Sequence, residues 1–306
     1  MIISLFKHLI LISTITIPLA SASDMVPTNN TQRSKPNLPQ EKLTQLESSF
    51  DGRIGVYALN TNNGQIIAYR ANERFPVQST MKIIGAAALL KLNESNESLL
   101  QEKIHYTKDD LIGWTPVTKL HLDKGMTLIN LAEAAVTYSD NTAINSIMRR
   151  FGGPKFSTNF ALSIGNSSYN VTHYDGYMNS NPKNPEDTST PKDMAISVQN
   201  LTLGKTLNQP QRQLLTTWMR NTVTSYKLIR AGVPMGWAVA DKSGGSGDYG
   251  VRNDIGIAWS PSCKPVVLAI YTVQNKKEAQ SRDDIVALTT NIIFDEFAKH
   301  DNCFKN

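Results

Sequence analysis

Strand-like patterns stand at both ends of this chain, and helical patterns fill its middle. Near the N-terminus, RIGVYALN and QIIAYR flank an Asn-Gly turn, which is typical of a β-hairpin. After Trp237, three apolar runs separated by glycine- and proline-containing turns predict further strands. Strands from both ends join most economically in one sheet, with the middle segment inserted. We therefore predict an α/β (α+β) fold with an antiparallel sheet built from both chain ends, flanking helices, an inserted all-helical lobe and an active site between the lobes.

Apolar periodicity and end signals place the helices. They are predicted directly after Ser79, at 126–139, 141–153, 154–165, 191–202 and 209–221, and at about 282–299. The sheet lobe then comprises about 41–75 and 222–306, and the helical lobe about 76–221. Residues 166–190 have turn signals without a sustained period, and a loop of that length inside a compact domain is usually functional.

The first 22 residues have the organisation of an export signal. Lys7 and His8 precede the apolar run LILISTITIPLA, and Ala20-Ser21-Ala22 forms a small-x-small cleavage site. The alternative is a membrane anchor, but the apolar run is shorter than the ~20 residues that span a bilayer. Residues 23–40 are polar and contain prolines, so we expect a flexible leader followed by one domain over 41–306. The protein is then periplasmic or secreted.

Composition argues against several classes of function. The net charge of +5 is small and spread out, so nucleic acid is not an expected partner. The five histidines are scattered singly without metal-ligand spacing, so we expect no metal and no cofactor. Export makes a disulfide feasible between the two cysteines, Cys263 and Cys303, with two unpaired thiols as the alternative.

The pattern S-x-x-K places a nucleophile beside a base. Ser79 and Lys82 lie one turn apart on the same face of a predicted helix. A serine hydroxyl becomes a good nucleophile when a nearby base takes its proton. The pattern occurs four times, but the match at Ser4 lies in the predicted signal, and those at Ser180 and Ser189 contain a proline. Taken alone, Ser79 is also explained as a helix-capping serine.

Two further motifs make the nucleophile assignment specific. Ser139-Asp140-Asn141 falls between two predicted helices, and Lys242-Ser243-Gly244 ends a predicted strand. With S-x-x-K they form the signature of class A β-lactamases and penicillin-binding proteins. Over about residues 41–299 the chain resembles a class A serine β-lactamase, including the stretches RRFGGP, DTSTP and YGVRNDIGIAW. The resemblance implies hydrolysis of penicillin- and cephalosporin-type antibiotics through a Ser79 acyl-enzyme, hence antibiotic resistance, by a monomer.

Four residues are expected to carry the acylation chemistry. Ser79 attacks the lactam carbonyl, and Lys82 takes or relays its proton. Ser139 passes a proton to the departing lactam nitrogen. An oxyanion needs two preorganised donors, and the backbone N–H groups of Ser79 and Gly245 are the natural pair.

A second group of residues is expected to bind the substrate. Lys242 and Ser243 offer a cation and a hydroxyl to the substrate carboxylate. Asn141 hydrogen-bonds the side-chain amide of the substrate. The resemblance adds Trp114 as an aromatic at the rim, with core packing as the alternative, and Arg252 as a further cation for the carboxylate, with a surface charge as the alternative.

The 166–190 loop resembles the omega loop of the family, in which a glutamate and an asparagine four residues later position the hydrolytic water. By constant offset, these positions are Asp175 and Asn179. The aspartate side chain is one methylene shorter than that of glutamate, so its carboxylate oxygens lie about one C–C bond, ~1.5 Å, closer to the backbone. A misplacement of about 1 Å costs on the order of 100-fold in rate. His173 replaces an arginine that in the family pairs with an aspartate, here Asp187.

The segment from Asn179 to Asp187 is one residue shorter than the family pattern. The shortening either brings the shorter acid closer to the water or leaves a looser loop and slower deacylation. Glu186 is the alternative base. A slowly deacylating penicillin-binding or D,D-peptidase-like protein is the competing function, and the aspartate at 175 favours it. A non-catalytic β-lactam sensor or cell-wall binding module is expected to have lost part of the three motifs.

Overall fold

The structure is a computed structural model that describes residues 38–304. The predicted signal and most of the predicted leader lie outside these residues. The helices are α1 (Leu38–Ser48), α2 (Met81–Asn93), α3 (Leu128–Thr137), α4 (Asn141–Arg150), α5 (Lys155–Ser163), α6 (Pro191–Thr202), α7 (Gln209–Arg220), α8 (Ile229–Gly232) and α9 (Asp283–His300). The strands are β1 (Gly52–Asn60), β2 (Ile66–Tyr69), β3 (Phe75–Pro76), β4 (Lys103–Ile104), β5 (Met126–Thr127), β6 (Thr188–Ser189), β7 (Ala238–Gly245), β8 (Arg252–Trp259) and β9 (Val266–Gln274).

Five strands form one antiparallel sheet in the order β2-β1-β9-β8-β7. The N-terminal β1 pairs with the C-terminal β9 along its whole length, from Gly52 opposite Gln274 to Asn60 opposite Val266. The predicted sheet from both chain ends is therefore confirmed. The N-terminal strands β1 and β2 and the C-terminal strands β7, β8 and β9 thus belong to one sheet. The segment between β2 and β7 is inserted between these two groups of strands, as predicted.

The sheet separates two apolar cores. Alternate residues of β9 enter each of them: Leu268 and Ile270 face the core shared with α1 and α9, whereas Val267, Ala269 and Tyr271 face the core of the helical lobe. A strand buried on both faces reads as a continuous apolar run, which explains the sequence VVLAIYTV.

Helix α2 runs through the helical lobe and is buried on nearly all sides. A Cβ at Gly85 would lie 2.7 Å from Ile144 Cδ1, so the glycine permits α4 to approach closely. A helix surrounded by packing partners holds its first turn in a fixed position, and that turn follows directly on Ser79.

The structure differs from the prediction mainly at the start of α1, at the start of α3 and in its short elements. Helix α1 begins at Leu38, so residues 38–40 belong to a helix and not to the leader; Pro39 is tolerated in a first helical turn. The predicted helix at 126–139 is shortened to α3, because Met126 and Thr127 form a ladder with β4. Short elements without a sequence period, including α8, were not predicted.

Two further findings concern the cysteines and the helix hydropathy. Cys263 and Cys303 are joined by a disulfide with a Cα–Cα distance of 6.0 Å, which ties the turn between β8 and β9 to the chain after α9. Among residues 38–304, no helix combines the length and hydropathy needed to cross a bilayer.

Candidate active site

The start of α2, the turn between α3 and α4, the 166–190 loop and the end of β7 surround a cavity of about 520 Å³. Predicted site residues that line it are Ser79, Trp114, Ser139, Asn141, Asp175, Ser243, Gly245 and Arg252. Lys82 and Lys242 are fully buried and hydrogen-bond to this wall. The three motifs, far apart in sequence, therefore meet at one site.

Ser79 lies in a 3₁₀ turn (Gln78–Thr80) that leads directly into α2. Gln78 has a φ of 47°, in the left-handed region, and Thr80 Oγ1 donates to the carbonyl of Val77 over 2.6 Å. This turn directs the Ser79 hydroxyl into the cavity. Backbone N–H groups at a helix N-terminus lack intrahelical acceptors, so the position suits an oxyanion.

Lys82 Nζ is at the centre of the site. It lies 2.9 Å from Ser79 Oγ and 2.8 Å from Asp175 Oδ2, and it donates to Asn141 Oδ1 over 2.8 Å and to the Ser139 carbonyl over 2.7 Å. Burial lowers the pKa of Lys82, and the charge of Asp175 opposes this only in part. A lowered pKa makes the amine available as a base beside the serine hydroxyl.

Ser139 connects the two lysines. Its Oγ lies 3.2 Å from Lys82 Nζ and 2.9 Å from Lys242 Nζ. Ser139 has a φ of 60°, a conformation that costs a serine on the order of 1 kcal/mol. Asp140 stabilises this turn, because its carboxylate accepts the N–H groups of Val117 and Ala143 over 3.0 Å each.

Lys242 is buried among charged groups that sequence analysis missed. Burial, together with the charge of Lys82, lowers the pKa of Lys242 to about 7. Asp241 pairs with Arg230 over 2.8 Å, and burial raises the pKa of both Asp241 and Asp254. Aspartates within the predicted strands of the C-terminal part were the available sequence signal, because buried carboxylates require partners.

Asp175 is nearly buried and reaches the nucleophile directly. Its Oδ2 accepts from Ser79 Oγ over 3.4 Å, in addition to the ion pair with Lys82. Asn145 holds the backbone of Asp175 on both sides, with distances of 2.9 Å to its N–H and to its carbonyl. Asn145 stands one helical turn after Asn141, and this spacing was the signal that could have identified it.

The expectation that Asn179 positions a water together with Asp175 stays a prediction; in the structure the hydrogen bonds of the Asn179 side chain lie within the loop itself. Its Nδ2 donates to the carbonyls of Asn181, Asn184 and Glu186 over 3.0–3.2 Å. The shortened segment turns back tightly and directs these carbonyls inward, so the amide satisfies them. Glu186, the alternative base, is exposed.

His173 and Asp187 close the base of the loop. His173 Nδ1 lies 2.8 Å from Asp187 Oδ2. The buried Asp187 carboxylate also accepts the backbone N–H groups of His173 and Asn179 over 3.1 and 2.8 Å. Histidine therefore occupies the expected arginine position while the loop closure is retained.

A hydrogen-bonded bridge that sequence analysis did not predict joins the loop to the end of β7. Ser180 Oγ donates to Ser246 Oγ over 2.7 Å, and Gln78 Nε2 donates to the Asn179 carbonyl over 2.8 Å. The bridge closes the cavity between the loop and the strand.

Three predicted substrate-binding residues, Ser243, Gly245 and Arg252, line the cavity along β7 and the start of β8. Arg252 Nε donates to Asp283 Oδ1 over 2.6 Å, and Gly245 leaves room for it, since a Cβ there would lie 3.2 Å from Arg252 Nη1. Ser243 Oγ lies 2.7 Å from the hydroxyl of Thr224, a lining residue that sequence analysis missed.

Trp114 lies at the rim of the cavity and is 60% exposed, so core packing is not its role. Its Nε1 donates to the Tyr138 carbonyl over 2.9 Å, and its carbonyl accepts the N–H of Asn141 over 2.8 Å. The indole is therefore fixed to the turn that carries Ser139.

Comparisons with known proteins agree with this arrangement. Residues 38–297 match the family described as the Beta-lactamase enzyme family. The chain is 41% identical to Beta-lactamase CTX-M-97 of Escherichia coli over 279 residues, which covers 91% of this chain and 94% of that protein. It is 44% identical to a β-lactamase of Bacillus amyloliquefaciens over 260 residues, or 85% of this chain and 84% of that protein.

Solved structures show the same similarity. A β-lactamase from Desulfarculus baarsii superposes with a TM-score of 0.83 at 38% identity and covers 85% of this chain and 97% of its own. A β-lactamase from Streptosporangium roseum also gives 0.83, at 37% identity, over 86% of this chain and 99% of its own.

Proposed function

The chain belongs to the β-lactamase enzyme family and hydrolyses β-lactam antibiotics, and we propose that it does so through an acyl-enzyme on Ser79. The observation that carries this mechanism is the position of Lys82 Nζ, within 2.9 Å of Ser79 Oγ and 2.8 Å of Asp175 Oδ2. One amine thus connects the nucleophile to a carboxylate. The penicillin-binding or D,D-peptidase-like alternative is not favoured, because the relatives at about 41% identity are named β-lactamases.

For acylation, Lys82 takes the Ser79 proton as the hydroxyl oxygen bonds to the lactam carbonyl carbon. The backbone N–H groups of Ser79 and Gly245 stabilise the resulting oxyanion. When the C–N bond breaks, Ser139 donates its proton to the nitrogen and recovers one from Lys82. The Ser139 Oγ to Lys82 Nζ distance of 3.2 Å supports this relay.

For deacylation, Asp175 takes a proton from water as the water oxygen attacks the acyl carbon. When the bond between that carbon and the Ser79 oxygen breaks, Lys82 passes a proton to the Ser79 oxygen and regains one from Asp175. The backbone clamp from Asn145 and the ion pair with Lys82 support this role, because a general base must be held within hydrogen-bond reach of the proton it takes. Asn179 contributes indirectly, by keeping the shortened loop folded.

Substrate binding is assigned to residues of β7, β8 and the start of α4. Lys242, Ser243 and Arg252 receive the carboxylate, and Asn141 receives the side-chain amide of the antibiotic. The buried Lys242 supports this assignment, since a desolvated cation gains more from an anionic ligand than an exposed one does. Trp114 covers the open rim.

Export and a single-chain state complete the proposal. The signal-like sequence of residues 1–22 supports a periplasmic or secreted protein, and the disulfide between Cys263 and Cys303 is of the kind that oxidising compartments permit. The protein is proposed to act as a monomer. Its partner is the β-lactam substrate, and it does not bind nucleic acid.

The test compares the wild-type protein with Asp175→Asn in the presence of excess chromogenic cephalosporin. Wild type should turn over many times. Asp175→Asn should give a burst and a persistent covalent mass adduct, with turnover lowered on the order of 10³-fold because the general base is lost. Normal turnover by Asp175→Asn would show that Asp175 is not the base. A burst without further turnover by the wild-type protein would instead support a slowly deacylating penicillin-binding or D,D-peptidase-like protein.

A further inference from the structure

A second cavity, of about 480 Å³, lies in the helical lobe. It is bordered by β4, the segment 117–126 and the first turns of α3, and none of the residues that line it line the active-site cavity. Its volume falls in the range of small-molecule sites. Nothing in the hydrolytic mechanism uses it.

The lining combines an apolar wall with positive charge. Val117, Met126, Ala134 and Tyr138 supply the wall. Lys103 and Lys124 supply two cations, and among the described residues that line the cavity Glu133 is the one acid. Two lysines against one glutamate leave the lining positive at neutral pH.

Two structural features add to this positive character. Thr127, the N-cap of α3, and Asn130 in its first turn line the cavity, so the positive end of the helix dipole borders it. The acid that precedes Lys103 in the chain, Glu102, is engaged by Arg150. The charge of Lys103 is therefore not neutralised by its own neighbour.

The cavity shares a wall with the catalytic turn. Tyr138 immediately precedes Ser139, and its carbonyl accepts the Trp114 indole N–H over 2.9 Å. The N–H of Val117 donates to Asp140 Oδ2 over 3.0 Å. A ligand that contacts Val117 and Tyr138 therefore touches two residues that are bonded to the Ser139-Asp140 turn. Ser139 in that turn contacts both lysines of the active site.

We propose that this cavity is a second binding site, for a small amphiphilic monoanion of the arylalkyl carboxylate class. The carboxylate lies between Lys103 and Lys124, and the apolar part packs against Val117, Met126 and Tyr138. A ligand with both parts fits better than one with either part alone, because the lining offers both lysine cations and apolar side chains.

The experiment titrates the ¹⁵N-labelled full protein with 4-phenylbutyrate and, as a neutral control, 4-phenyl-1-butanol. The carboxylate should bind with a dissociation constant on the order of 1 mM, typical for a ligand of this size, and should shift the amide signals of Val117 and Tyr138. Lys103→Ala combined with Lys124→Ala should weaken binding about fivefold, because two exposed charge contacts are removed. Lys119→Ala, a matched exposed lysine outside the lining, should leave it unchanged.

Three results would overturn the proposal. They are shifts centred on Ser79 and Gly245, equal binding of the alcohol and the carboxylate, and equal affinity in the double variant and wild type. Both lysines are exposed, so the variants are expected to fold. The readout is binding, not turnover, so failure here is distinguishable from failure of the proposed hydrolytic mechanism.

Discussion

The residues assigned to acylation and the residue assigned to deacylation are held in different ways. Ser79 and Lys82 lie next to and on the buried helix α2, and Lys242 lies on β7, an edge strand of the sheet whose middle residues are buried. Asp175 stands in a long irregular loop, fixed by the amide of Asn145. Regular elements keep the acylation geometry independent of any one contact, whereas the loop depends on individual side chains. The departures from the family pattern that the sequence showed at site positions, Asp175 and His173, both lie in this loop.

The largest expected effect comes from removing the nucleophile, which prevents acylation. Ser79→Ala should lower turnover of a chromogenic cephalosporin by at least about 10⁴-fold, since loss of a nucleophile removes the covalent route. Mass spectrometry should show no adduct, in contrast to the persistent adduct expected for Asp175→Asn. A covalent adduct on Ser79→Ala would place the nucleophile elsewhere.

The next prediction separates the two explanations of the shortened loop. Asp175 already lies 2.8 Å from Lys82 and 3.4 Å from Ser79, so the loop has brought the shorter acid into reach. Asp175→Glu adds about 1.5 Å of side chain and should slow deacylation on the order of 100-fold by misplacing the carboxylate. Stopped-flow measurement of acylation and deacylation provides the test, with acylation as the internal control. Faster deacylation would show that the native loop is loose rather than compensated.

The sequence predicted the regular parts of the molecule because short-range signals define them. Capping residues and apolar periods located α6 and α7, and three short motifs located the nucleophile and its partners. The loop was harder, because the direction of a side chain such as Asn179 depends on how the chain turns back. Asn145, Thr224 and the buried Asp254 were also missed, since long-range contacts decide what they do.

The pH dependence of substrate binding tests the role of Lys242 without a change in the wild-type protein. The pKa of Lys242 is about 7 in the unliganded protein, so the cation is present below pH 7 and is lost above it. KM for an anionic cephalosporin should rise about fivefold between pH 7 and pH 8, as the protonated fraction falls. Lys242→Arg keeps its charge and should flatten this rise. An equal rise in the arginine variant would assign the titration to another group.

The smallest expected effect concerns the bridge that ties the loop to β7. Ser180→Ala removes the hydrogen bond to Ser246 and the one that Ser180 Oγ accepts from Gln78 Nε2 over 3.1 Å, and a neutral hydrogen bond contributes about 1 kcal/mol or less. Opening of the loop should become about threefold more frequent, measured by hydrogen exchange of the Asn181 N–H, which donates to Asn179 Oδ1 over 2.8 Å. Ser167→Ala, an exposed serine at the start of the same loop, is the matched control and should leave exchange unchanged. The amides of α2 should not respond in either variant, because the packing around that helix does not involve the bridge. If Ser180→Ala exchanges like wild type, the contacts of Asn145, Asp187 and Gln78 hold the loop without the Ser180 hydroxyl.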